Sequence, residues 1–169
     1  MPVDSFKFLP RLIEMFYRMT DVPAPDMIPW TPLSKPVQDC KFGLITSAGL
    51  YDRTQDEPFD LERERQEPSW GDPSMRMLPS NLPQQEVGVS HLHLNTKPIL
   101  EDFNIVLPLE RFQTLQQSGE IGELARFHFS VMGFQGFPPD TTIWREETGP
   151  QIAQHFKSEE VDCILLTPA

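Results

Sequence analysis

The sequence predicts an α/β fold: an open, layered, mainly parallel sheet of about five strands with helices on its faces. Two observations carry that expectation. Across the second half, helix-patterned and strand-patterned segments alternate, which favours parallel strands joined by crossover helices. The composition also supports a packed core, with 38% hydrophobic residues and 12 Phe in a chain of 169. Ahead of the sheet the pattern changes to an N-terminal helix and a proline-rich strap. The expected division is therefore residues 1–39 for helix and strap, and residues 40–169 for the α/β domain.

In order, "FLPRLIEMFYRM" spaces Leu9, Leu12, Ile13 and Phe16 as one face of a helix. The chain has 18 prolines, well above the usual share of roughly 5%. Pro23, Pro25, Pro29, Pro32 and Pro36 fall together, a spacing that holds the backbone extended and unpaired, with Trp30 as the expected anchor. "KFGLITSAG" reads as the first strand, closed by small residues. The next segment, "LYDRTQDEPFDLERERQEPSWGDPS", is dense in charge and proline and reads as a long loop. "MRMLP" and "VGVSHLHL" read as short strands. "LPLERFQTLQQSG" opens a helix at Pro108 and closes it at Gly119, with Leu109, Phe112 and Leu115 as its apolar side. "RFHFSVMG" is a strand, "EETGPQIAQHFKSEE" a helix whose regularity Pro150 lowers, and "VDCILLT" the last strand.

Charge and cysteine usage exclude several classes. A formal net charge of −11 opposes binding to nucleic acid or an acidic membrane leaflet. No run approaches the roughly 18 apolar residues of a membrane helix, and "MPVDSFKFLP" lacks a secretory pattern. Cys40 and Cys163 are too few for a disulfide framework. A cytoplasmic protein is expected.

The motifs are individually weak. His91 and His93 stand two apart in an expected strand, so both would face one way, and with His128 they could make a metal site. That set would define a metal-dependent hydrolase holding near one equivalent of zinc, but two histidines on a strand are more often hydrogen-bonded core residues, and no metal ligand set is assigned. "TSAG" and "MGFQG" are small-residue turns after strands whose N–H groups could cradle an anion; neither continues as a P-loop. Asp102 and Asn104 precede a helix, where capping is the plain account. Cys163 lies in an apolar strand, where a thiol acts as a small hydrophobe of high pKa.

Read together and in order, "WTPLSKPVQDCKFGLITSAGLY", "GDPSMRMLP", "VSHLHLN", "DFNIVLPLERFQTLQQSGEIGELARFHFSVMG" and "EETGPQIAQHFKSEEVDCILLTPA" resemble selenoprotein B of the glycine, sarcosine and betaine reductases and the similar subunit of D-proline reductase. The resemblance implies an amino-acid or amine reductase subunit that cleaves a C–N bond using a dithiol/disulfide couple. In that family the strand resembling "DCILLTPA" leads into a selenocysteine or cysteine, so no catalytic residue is identifiable in this chain. The selenocysteine is expected immediately after Ala169, behind a recoded UGA, and the chain alone is expected to be inactive. A selenol ionises far below the roughly 8.5 of a free thiol, which suits a nucleophile at neutral pH.

The resemblance further implies a pyruvoyl group on a partner subunit and a small amine or amino-acid substrate. It makes His91, Asp102, Asn104, Met132 and Gly133 pocket candidates. Asn95 stands where the family often has Asp, so no carboxylate role transfers there. Apolar surface left open after the last strand predicts a homo-oligomer. The alternative is a non-catalytic α/β module that binds a small ligand or scaffolds a complex.

Overall fold

The computed structural model describes residues 10–12, 15 and 31–169. The chain divides into two compact units, Met1–Pro32 and Leu33–Ala169. In the first, Arg11, Leu12 and Met15 are helical and exposed. Leu9, Ile13, Phe16, Pro23, Pro25, Pro29 and Trp30 lie outside the described residues. In the second unit Pro36 has φ −59° and ψ 151°, the extended conformation expected of the strap, and a 3₁₀ turn at Val37–Asp39 leads into the sheet.

Seven strands follow: β1 (Lys41–Thr46), β2 (Leu50–Asp52), β3 (Met75–Pro79), β4 (Val87–Val89), β5 (Glu123–Leu124), β6 (Phe127–Val131) and β7 (Cys163–Thr167). The helices are α1 (Leu61–Gln66), α2 (Lys97–Glu101), α3 (Leu109–Gln117) and α4 (Gly149–Ser158). β1 is the centre of the five-stranded sheet. β7 pairs along it in parallel from Phe42↔Cys163 to Thr46↔Thr167. A strand has two edges, so β5 and β6 share the other one, with parallel pairs at Phe42↔Leu124 and Ile45↔Phe129. β3 runs antiparallel on the far side of β6, and β2 and β4 form a separate antiparallel pair. The open, mainly parallel five-stranded sheet is as expected.

The alternation of β1 sorts the core into two layers. Leu44 belongs to the larger one, packed with Leu50, Leu78, Phe103, Leu107 and Leu109, and Phe112 of α3 stacks on Phe42 at 5.5 Å. Ile45 belongs to the other, where Phe129 and Val131 lie under Ile152 and Phe156 of α4. Gly43 lets α4 sit close: a Cβ there would stand 2.5 Å from the Phe156 ring.

Three elements differ from the sequence reading. The charged segment after β1 is not a plain loop, because it contains β2 and α1. Asp60 caps α1 by accepting from the Arg63 N–H at 2.9 Å, and Arg63–Glu67 and Gln66–Glu62 pairs brace its exposed side. β4 ends at Val89, so His91 and His93 lie beyond the strand and do not share its face. Just ahead of α4, Trp144–Thr148 forms a π turn closed by the Gly149 N–H on the Trp144 carbonyl. Pro150 has no N–H to offer the carbonyl four residues back, and the helix widens before it. Among the described residues no helix is long and apolar enough to cross a membrane.

Candidate functional site

β1, β6 and β7 run in parallel, so their carboxyl ends meet at one rim, the place where open α/β sheets hold ligands. A cleft of about 720 Å³ opens there. Ile45, Val131, Trp144, Ile152 and Leu166 supply its hydrocarbon, and Ser47, Gly133, Thr167 and Ala169 form its mouth. Its lining holds no charged side chain, and its hydroxyls are committed internally. Thr148 donates to the Pro73 carbonyl at 2.8 Å, and Thr167 donates to the Ile45 and Val106 carbonyls at 3.0 and 2.6 Å.

Ala169 is held at this rim. Its N–H donates to Ser47 Oγ at 2.9 Å, and a Cβ on Gly133 would stand 3.1 Å from its carbonyl oxygen. The Gly133 N–H donates to the Ser47 carbonyl at 2.9 Å, which binds the turn after β6 to the turn after β1. The N–H groups of Ser47, Ala48 and Gly49 are likewise bonded within the fold, so "TSAG" is a closed turn with no free anion cradle. Gly49 has φ +66°, and a Cβ there would lie 2.1 Å from the Ser90 carbonyl oxygen, so only glycine fits.

The candidates distribute unevenly around this rim. Met132 is fully buried beside Gly133. His91 is buried, and its Nδ1 accepts the His93 backbone N–H at 3.1 Å. The proton therefore sits on Nε2, a buried atom with no partner. Burial, helped by the neighbouring His93, pushes the His91 pKa down. His93 is half-exposed; its ring packs on Phe134 at 4.5 Å, and its Nε2 lies 3.2 Å from Glu64 Oε1. Glu64 is a buried carboxylate on α1 whose oxygens have no hydrogen bond beyond that ion-pair contact. Burial raises its pKa, and His93 pulls it partly back. The sequence reading missed Glu64; the one available signal was a charged residue on the side of a short helix opposite the Glu62–Gln66 pair.

Of the five candidates only Gly133 lines the cleft; His91, Met132, Asp102 and Asn104 do not. Asp102 Oδ1 accepts from the Asn104 N–H and side-chain amide, while Asn104 Oδ1 accepts the Glu110 N–H and so caps α3. His128 is fully buried in β6, where its Nδ1 accepts the Leu44 N–H at 3.1 Å, and burial lowers its pKa to about 4. It replaces a main-chain acceptor where β1 changes partner from β5 to β6. Among the described residues no group of three or more His, Cys, Asp or Glu side chains is placed to hold a metal ion. The hydrolase set of His91, His93 and His128 gains no geometric support.

A parallel sheet with a hydrocarbon cleft and glycine-tight turns at its carboxyl rim defines an α/β protein with a ligand-type site. Comparison identifies the particular kind. Residues 9–169 match the family model described as glycine/sarcosine/betaine reductase selenoprotein B, and the chain belongs to that family. It is 34% identical over 138 residues to the D-proline reductase subunit gamma of Acetoanaerobium sticklandii, covering 82% of this chain and 52% of that protein. The chain thus spans about half the length of that curated relative. No solved structure matches it.

Proposed function

We propose that this chain forms part of an amino-acid or amine reductase subunit that cleaves a C–N bond reductively. The net change takes up two electrons and two protons, giving a C–H bond and a free amine. The observation that carries the reading is Ala169 at the carboxyl end of β7, held by Ser47 beside Gly133 in a chain of this family. A nucleophile one residue further on would stand over the cleft on a rigid strand end, which fixes its line of attack. That nucleophile would be a selenocysteine or cysteine, and a pyruvoyl group on a partner subunit would activate the substrate amine. The hydrocarbon of a small amino acid or amine packs against Ile45, Val131 and Ile152, with Gly133 at the mouth and His91 and Met132 buried behind the turns of this rim.

In this reading the working subunit is cytoplasmic, and it is a homo-oligomer because Ile164 and Leu166 of β7 are exposed apolar side chains. DNA sequencing immediately downstream of the Ala169 codon tests the proposal. A UGA followed by a frame encoding Cys and His is the expected result, with a longer, selenium-bearing species in native protein by mass spectrometry. A UAA or UAG with no such frame behind it removes the reductase reading. It would leave the alternative, a non-catalytic module that binds a small ligand or scaffolds a complex.

A further inference from the structure

At the opposite, amino-terminal rim of the sheet lie Cys40 and Cys163, which the reductase reading does not use. Cys40 is extended, with φ −84° and ψ 141°, and immediately precedes β1. Extended residues two apart point the same way, so Cys40 shares a face with Phe42. Phe42 pairs directly with Cys163, which brings the two cysteines onto one face of adjacent strands. The Cys40 thiol is near enough to help raise the Cys163 pKa. Cys40 is fully buried, with its Sγ also 3.3 Å from the Pro36 carbonyl, while Cys163 is partly exposed; both are free thiols.

We propose that Cys40 and Cys163 form a dithiol that low-molecular-weight disulfides convert reversibly into an intramolecular disulfide. Cys163, the partly exposed sulfur, attacks one sulfur of the small disulfide as a thiolate and releases its first thiol. Cys40 then attacks Cys163 and releases the second. Two thiol protons are lost, two electrons pass to the small disulfide, and one S–S bond replaces another. Diagonal neighbours on a regular sheet stand roughly 7–8 Å apart at Cα, slightly beyond the usual disulfide span. Cys40 precedes the first laddered residue, Lys41, so closing that gap breaks no β1–β7 pair and shifts only the bonds of Cys40 to Val37, Gly122 and Glu123.

The pair is slow by construction. Burial first, and the contact with Cys40 second, push the Cys163 thiol up to about 11. Thiolate is scarce at neutral pH, and closure accelerates about tenfold per pH unit as the solution approaches that value. The dithiol therefore stays reduced through brief exposure and closes under sustained oxidation. The bond ties the residue ahead of β1 to the start of the strand that leads to Ala169.

The test uses the full chain, reduced, desalted and incubated with excess oxidised glutathione at about pH 7 and about pH 9. Intact mass after an acid quench is expected to show the loss of two hydrogens and no retained glutathione, faster at the higher pH. Both cysteines then resist alkylation, dithiothreitol restores them, and Tm rises by roughly 5–10 °C. Cys40→Ser is expected to trap glutathione on Cys163. Three results overturn the proposal: a wild-type chain that keeps its glutathione adduct, a chain unchanged after a day at the higher pH, and a bond that forms only in urea or between two chains. None of these bears on the codon after Ala169, so this proposal and the reductase reading fail separately.

Discussion

The two rims of the parallel sheet are built on opposite principles. At the amino-terminal rim charged groups find partners. Lys35 lies 2.7 Å from Asp162, whose carboxyl this contact and the Lys41 N–H hold below its ordinary pKa. Lys41 reaches Glu123 and the Glu159 carbonyl. Buried Glu159 accepts the Arg126 N–H at 2.9 Å and contacts the Arg126 and His155 side chains. At the carboxyl rim Glu64 has only its contact with His93, and His91 Nε2 and Trp144 Nε1 are buried without hydrogen bonds; between the rims, His128 Nε2 and Ser130 Oγ of β6 are also unpaired. A buried polar atom left unpaired costs roughly 1–3 kcal/mol. A fold that satisfies one end and leaves the other short has spent stability where a ligand or partner is expected.

The largest expected effect comes from the tight turn that forms the carboxyl rim. Gly49→Ala combines a left-handed backbone with a Cβ driven into the Ser90 carbonyl, and backbone oxygen cannot swing aside. A loss of roughly 3–4 kcal/mol follows, read as a lower urea midpoint with an unchanged slope. An unchanged midpoint would mean that the rim is looser than its packing implies.

Next comes Glu159 at the amino rim. Glu159→Ala orphans the Arg126 N–H and costs roughly 2–3 kcal/mol near neutral pH. Burial works to raise the Glu159 pKa, but hydrogen bonds from Arg126 and His155 outweigh it and set the folded value below the ordinary one. Its stabilisation is therefore complete above the unfolded value and disappears as pH falls through the folded value. Urea melts of wild type and variant should converge in acid; a gap constant with pH would remove the electrostatic account.

Glu64 at the carboxyl rim carries the opposite sign. Its folded pKa is raised, by burial chiefly and by Asp72 in addition, against the pull of His93 and Arg65. Stability contributed by this group is present below the unfolded value and lost as pH rises through the folded value. Glu64→Met keeps the shape of the side chain and removes the charge, so the variant gains roughly 1 kcal/mol at neutral pH and little in acid. A variant less stable than wild type at every pH would show that Glu64 and His93 form a net stabilising pair.

Much of the scaffold was legible because it depends on local pattern. β1, β3, β6, β7 and α3 follow from period and caps, and the parallel order from their alternation. What escaped was set by contacts distant in sequence. α1 is short and charged, and it forms because Asp60 caps it and Phe59 beside it is buried. The end of β4 at Val89 depends on the Gly49 turn, whose carbonyl takes the Ser90 N–H. Of the site, the strand-end position of Ala169 and the nearness of Gly133 were readable from order and family. The Glu64–His93 contact and the Cys40–Cys163 pair join residues far apart in the chain, which no spacing rule connects. The capping account of Asp102 and Asn104 was readable, since Asp before a helix start is a local signal.

The smallest effect on folding tests the open face of β7. β7 pairs with β1 on one side, and Ile164 and Leu166 project from it, 46% and 65% exposed. Natural edge strands are commonly guarded by a lysine, a proline or a bulge, and "CILLT" carries none of these. Leu166→Lys removes little buried surface, so its stability stays within roughly 0.5 kcal/mol of wild type. Its effect falls on association. Multi-angle light scattering should show wild type as a dimer or larger species and the lysine variant shifted toward monomer, because a charge on the open face has to be desolvated for two copies to meet. The same shift from Gln38→Lys at the amino rim, which changes the net charge equally, would show that association tracks net charge and leave the β7 face without a special role. Association lost at Leu166 alone would assign the adhesive surface to the rim whose polar groups are also unpaired.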